Sequence, residues 1–85
     1  MARFSNLDYL NLSTDLRRIA VWLQDGDSAL ARKFIEIDKK KFGDDKREIG
    51  KKKISTWLDR VGVLGEKSAE DALTLSILLK HRFSS

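Results

Sequence analysis

The sequence predicts an all-α protein: a small four-helix bundle built from two helical hairpins, with a short N-terminal turn or lead-in helix. Three observations lead to this reading. The chain contains no proline. Four of its five glycines (Gly26, Gly43, Gly62 and Gly65) fall where hydrophobic periodicity stops, Gly50 being the exception, and they cut the chain into helix-sized pieces. Within the pieces, apolar residues recur at i, i+3 and i+4, the spacing that gathers them on one side of a helix.

The first piece has its periodic body at Leu12, Leu16, Ile19, Ala20 and Leu23. Leu7 and Leu10 fall off that face, so residues 3–11 read as a separate turn or lead-in, started by Ser5 with Asp8 three positions later. The second piece follows Asp25-Gly26-Asp27-Ser28, where Asp25 or Asp27 can cap exposed N–H groups, and runs to Phe42. Leu30, Phe34 and Ile37 form its central stripe, widened by Ala31, Ile35 and Phe42, with Arg32, Lys33, Glu36, Lys39 and Lys40 opposite.

The third piece starts near Asp44 and Asp45, whose charges suit a helix N-terminus, and buries Ile54, Trp57, Leu58 and Val61. Gly50 falls on the same face, which predicts either close backbone packing or a helix that breaks and restarts there. The fourth opens with Ser68-Ala69-Glu70-Asp71, a capping-box-like start with Asp in place of the usual Glu. Ala72, Leu75, Ser76, Leu79 and Phe83 share one face, while Leu73 and Ile77 on one side and Leu78 on the other make this helix apolar around most of its circumference. Such a helix is central in the bundle or shared with another subunit.

Both tryptophans lie in a near-repeat. Arg17-Arg18-Ile19-Ala20-Val21-Trp22-Leu23 and Lys52-Lys53-Ile54-Ser55-Thr56-Trp57-Leu58 are offset by 35 residues. A duplicated hairpin would produce this, but the second helices align poorly outside the motif, and recurrence by chance is the stronger explanation. Trp57 sits near the centre of its apolar stripe and is expected in the core; Trp22 lies at the edge of its stripe and is the candidate aromatic contact.

At 85 residues the chain has room for one helical domain, residues 1–85, around one core. With no cysteine and one histidine, neither a disulfide nor a zinc cluster can brace it, and hydrophobic packing must carry the fold. No apolar run approaches the ~18 residues of a membrane span, and Met1 to Leu12 lacks a secretory signal's hydrophobic stretch, so a cytoplasmic location is the expectation.

Catalytic patterns are missing. His81, the only imidazole, sits near the end of the last helix, where it complements the helix dipole. Asp44-Asp45 and Glu70-Asp71 read as helix starts, and Asp25-Gly26-Asp27 as a turn and cap rather than a calcium loop. The chain is therefore expected not to be an enzyme, with no cofactor, metal or small-molecule substrate.

Charge distribution says more. Residues 39–53 hold eight bases against three acids, so the net +4 of the chain originates in this segment. The candidate phosphate- or acidic-partner contacts are Lys39, Lys40, Lys41, Lys46, Lys51, Lys52, Lys53 and Arg60, with Lys46, Lys53 and Arg60 spaced by seven along one flank of the third helix. Lysine lacks arginine's bidentate fork, which disfavours specific base reading. Glu48-Ile49-Gly50 followed by Ile54-Ser55-Thr56-Trp57-Leu58-Asp59-Arg60 resembles a fragment of a helix-turn-helix unit ending in its recognition helix; no base-contacting role is carried over from it.

Two functional classes follow. The first is a non-catalytic protein-interaction or regulatory module, binding itself or another protein through Trp22, Leu73, Ile77 and Leu78. The alternative is a nucleic-acid-binding protein that contacts phosphates through the lysine-rich patch.

Overall fold

A computed structural model describes residues 4–84 and bears out the all-α fold. Its first helix, α1 (Asn6–Gln24), begins at a reciprocal cap: Ser5 Oγ accepts from the Asp8 N–H at 3.2 Å, and Asp8 Oδ2 accepts from the Ser5 N–H at 2.9 Å. The helix then runs without a break, which corrects the separate lead-in; the part of that reading at Arg3 lies outside the described residues. Continuity needs a backbone hydrogen bond at every turn but not burial at every turn. Leu7 is left exposed while Tyr9 is buried one turn before Leu12.

Helix α2 (Ser28–Phe42) has the expected bounds, with the Asp27 carboxylate accepting from the Leu30 N–H at 3.3 Å. Its buried row is Ala31, Ile35, Asp38 and Phe42, whereas Leu30 and Ile37 are 39% and 52% exposed. The stripe expected at Leu30, Phe34 and Ile37 is therefore rotated out of the core. The row that faces inward carries the small Ala31, which lets neighbouring helices approach closely.

The third piece differs most from expectation. Residues 44–53 are not helical: β1 (Glu48–Ile49) and β2 (Lys52–Lys53) form an antiparallel hairpin with Glu48 opposite Lys53 and Ile49 opposite Lys52. Gly50 and Lys51 make its two-residue turn with φ of 57° and 71°, the left-handed geometry that tight hairpins require. Helix α3 (Ile54–Gly62) starts directly after it. Its first N–H groups, on Ile54 and Ser55, donate to the carbonyls of Arg47 (2.9 Å) and Asp45 (3.2 Å). Folded-back loop carbonyls thus do the capping assigned to Asp44 and Asp45. Because Glu48 and Ile49 form a strand and no helix precedes α3 closely, the helix-turn-helix fragment does not form.

Helix α4 (Ser68–Phe83) contains Ser68 rather than being capped by it. The Ser68 hydroxyl accepts from the Gly65 N–H at 2.9 Å and reaches the Arg60 carbonyl at 3.4 Å, so it ties the α3–α4 loop together and the capping box does not form.

The helices close a ring in which each packs on its chain neighbours and α1 packs most extensively on α4. Cross-helix pairs set the directions. Trp22 meets Phe34, Asp8 meets Lys41, Tyr9 stacks on Phe83 and the Ser13 hydroxyl donates to the Ser76 carbonyl, so α1 is antiparallel to both α2 and α4. The core runs through Leu12, Leu16, Ile19, Ile35, Ile54, Leu58, Val61, Leu75 and Leu79. The two Ile-x-x-Trp-Leu copies occupy unlike places: Ile54 opens the nine-residue α3, while Ile19 lies late in the 19-residue α1.

Candidate functional site

The lysine-rich segment gathers at one end of the bundle, and its anchors are polar and aromatic. Asp45 is the hub: Oδ2 accepts from the Tyr9 hydroxyl at 2.6 Å and Oδ1 from the Arg47 N–H at 2.9 Å. Burial, and then the Asp45 carboxylate, push the Tyr9 hydroxyl's pKa upward, so it remains a donor. The Arg47 guanidinium lies 5.4 Å from the Tyr9 ring centre and 5.5 Å from that of Phe83, within cation–π range of a stacked pair. Arg82 flanks the same Phe83 ring at 5.9 Å. The last turn of α4 therefore adds its charge to a patch that the sequence reading drew from residues 39–53 and Arg60.

The hairpin is pinned from below. The Trp57 indole N–H donates to the Ile49 carbonyl at 2.8 Å in a buried bond, and the Lys52 ammonium covers the Trp57 ring at 4.5 Å. A Cβ on Gly50 would fall 2.6 Å from Leu78 Cδ1, so the turn rests on α4 and a side chain there would displace the tip of Leu78.

The sequence-derived basic residues divide by what holds them. Lys39 pairs with Asp59 (3.4 Å), Lys41 with Asp8 (3.1 Å) and Arg60 with Asp71 (3.6 Å). The Asp8 carboxyl titrates below the ordinary range because the Ser5 N–H, then Lys41, stabilises its charge. Lys40, Lys46, Lys51 and Lys53 are exposed and pair with no described carboxylate. Lys46, Lys53 and Arg60 do not line one helix flank, since the first two precede α3. The free charges are thus Lys40 on α2, Lys46 in the loop, and Lys51 and Lys53 on the hairpin.

Aromatic side chains at this end face inward. Tyr9, Phe42, Trp57 and Phe83 are buried and Phe4 is half-buried against Phe42, leaving no fully exposed aromatic ring there among the described residues. Trp57 is a core residue as expected. Trp22 is half-buried against Phe34 on the second turn of α2, with ring centres 4.9 Å apart, away from the basic end. Of the candidate protein contacts on α4, Leu73 and Ile77 are exposed while Leu78 is half-buried beneath the hairpin turn.

One group was missed by sequence reasoning. Asp38 is 4% exposed, its Oδ2 has no hydrogen-bond partner, and the half-buried Asp15 faces it across the α1–α2 interface. Burial, reinforced by the Asp15 charge, pushes the Asp38 carboxyl up to about 8. It lies on the inward row of α2 and opens into no described cavity, so it reads as a structural proton store. No group of three or more His, Cys, Asp and Glu side chains suited to a metal occurs among the described residues, and no helix is long and apolar enough to cross a membrane.

No protein-family model, curated protein or solved structure matches the chain.

Proposed function

We propose that this chain is a non-catalytic module that grips nucleic-acid phosphates with the basic end of its bundle. The observation that carries the reading is Lys51. It occupies the tip of an exposed turn at φ 71°, a conformation that costs a non-glycine residue about 1 kcal/mol, where Asn or Gly would sit without strain. A lysine kept there against its backbone preference, beside free Lys46 and Lys53, is explained by a use for its charge.

Supporting features agree with this chemistry. Two distant stretches, residues 39–53 and Arg82, converge through the Arg47–Phe83 contact. The free charges are lysines without a bidentate fork, which suits backbone contact rather than base reading. Inward-facing aromatics offer no stacking platform of the kind that single-strand binders use. The expected ligand is therefore the duplex backbone, bound without sequence preference.

Titration of labelled duplex and single-stranded oligonucleotides at two salt concentrations tests the reading. Four phosphate contacts predict a log–log salt slope of about −3 to −4 on duplex. Binding that is absent at low salt, or indifferent to salt, would remove the phosphate mechanism, and preference for an acidic protein over either nucleic acid would redirect it.

A further inference from the structure

We infer that α4 carries a self-complementary surface through which two copies of this chain associate antiparallel. The surface is the row Glu70, Leu73, Ile77 and Lys80, which shares one side of α4, roughly a third of a turn away from the core-facing row of Ala72, Ser76 and Leu79. Leu73 is 39% and Ile77 is 54% exposed, and Glu70 and Lys80 are exposed and pair with no described partner.

The order of these four side chains selects the occupant. Positions 73 and 77, and positions 70 and 80, are each symmetric about position 75. When two such helices run antiparallel about a two-fold axis at that height, Leu73 of one copy lies beside Ile77 of the other. Glu70 of one then lies beside Lys80 of the other, and each contact occurs twice. This is the isologous arrangement of a closed dimer, apolar at its centre and ion-paired at its rim. A parallel arrangement would set Glu70 against Glu70 and Lys80 against Lys80, so the charges choose the direction.

Neighbouring residues extend the surface. Lys80 lines a shallow cavity between α1 and α4 together with Leu10, Ser13, Thr14 and Arg17. Val21, one turn beyond Arg17 and 49% exposed, continues that wall toward the Leu73 end of the antiparallel α4. Two other helices each expose two large apolar residues: on α1, Leu7 and Val21 stand at opposite ends of the helix, and on α2, with Leu30 and Ile37, the acid at the N-terminal end, Asp27, is committed to the helix cap. The association surface lies on a different face from the lysine hairpin and does not depend on it.

Sedimentation of the full chain over a concentration series tests the inference, with circular dichroism confirming that each variant is folded. The wild type should pass from monomer to dimer as concentration rises. Ile77→Asp should shift the transition at least tenfold to higher concentration. Glu70→Lys should weaken it by several-fold through like charges, and the double change Glu70→Lys with Lys80→Glu should restore wild-type behaviour. A wild type that stays monomeric throughout overturns the inference, as does a dimer insensitive to Ile77→Asp or one that the charge swap fails to restore.

Discussion

Replacing Asp38 by Asn should stabilise the protein at neutral pH and flatten the dependence of its stability on pH. The carboxyl is 4% exposed and holds its proton up to about pH 8, chiefly through burial and secondly through Asp15. In the unfolded chain it ionises near the ordinary Asp value of about 3.9. Between these limits the folded state binds the extra proton, so wild-type stability falls as pH rises, by about 1.4 kcal/mol per unit, and levels off above the folded value. At pH 7 the gap is on the order of a few kcal/mol, because solvent around the half-buried Asp15 screens part of the repulsion. Asn keeps the size of the protonated acid but carries no charge to suppress. Urea unfolding followed by tryptophan fluorescence from pH 4 to 8.5 would measure this. The two proteins should be nearly equal at pH 4 and diverge steadily toward pH 8, with Asp38→Asn the more stable. Parallel curves, or a variant less stable at pH 7, would refute the buried-proton account.

Three further outcomes follow from the hairpin. Trp57→Phe leaves the buried Ile49 carbonyl without its 2.8 Å donor; a loss of about 1–2 kcal/mol is expected in denaturant unfolding, with faster hydrogen exchange confined to residues 48–53. Gly50→Ala combines a left-handed φ of 57° with a Cβ 2.6 Å from Leu78 Cδ1 and should cost about 1–2 kcal/mol by the same assay. Lys51→Asn should raise stability by about 0.5 kcal/mol, because Asn tolerates the turn conformation better, while weakening duplex binding in the titration. Stability and binding moving in the same direction would contradict the functional reading of that turn.

How far the chain could be read in advance depended on whether local chemistry or distant contacts decided each element. The bounds of α2 were legible because Asp27 caps it and Gly43 follows it, both within a few residues. The inward face of α4 was legible because five core positions repeat at helical spacing. The length of α1 was underestimated by demanding burial at Leu7 and Leu10, although the Ser5 and Asp8 cap marked its start. The hairpin was hidden: each strand has two residues, its turn reads Gly-Lys rather than Asn-Gly, and its anchors, Trp57 and Leu78, lie outside it. Asp38 was legible in principle, since Ala31, Ile35, Asp38 and Phe42 follow a 4-3-4 spacing, but the more apolar Leu30, Phe34 and Ile37 row drew attention from it. Of the candidate site, the lysines themselves were evident in the sequence. Which of them are free, and the joining of Arg47 to Arg82 over Phe83, depend on contacts between segments 11 to 36 residues apart.

The most direct test of the account is the salt dependence of duplex binding for the wild type beside a variant with Lys40, Lys46, Lys51 and Lys53 changed to Gln. All four positions are exposed and free of described ion pairs, so the fold should be retained. Loss of low-salt affinity together with a salt slope shallower by about 3–4 is the predicted result. Affinity and slope equal to those of the wild type would show that the basic end is not the binding surface.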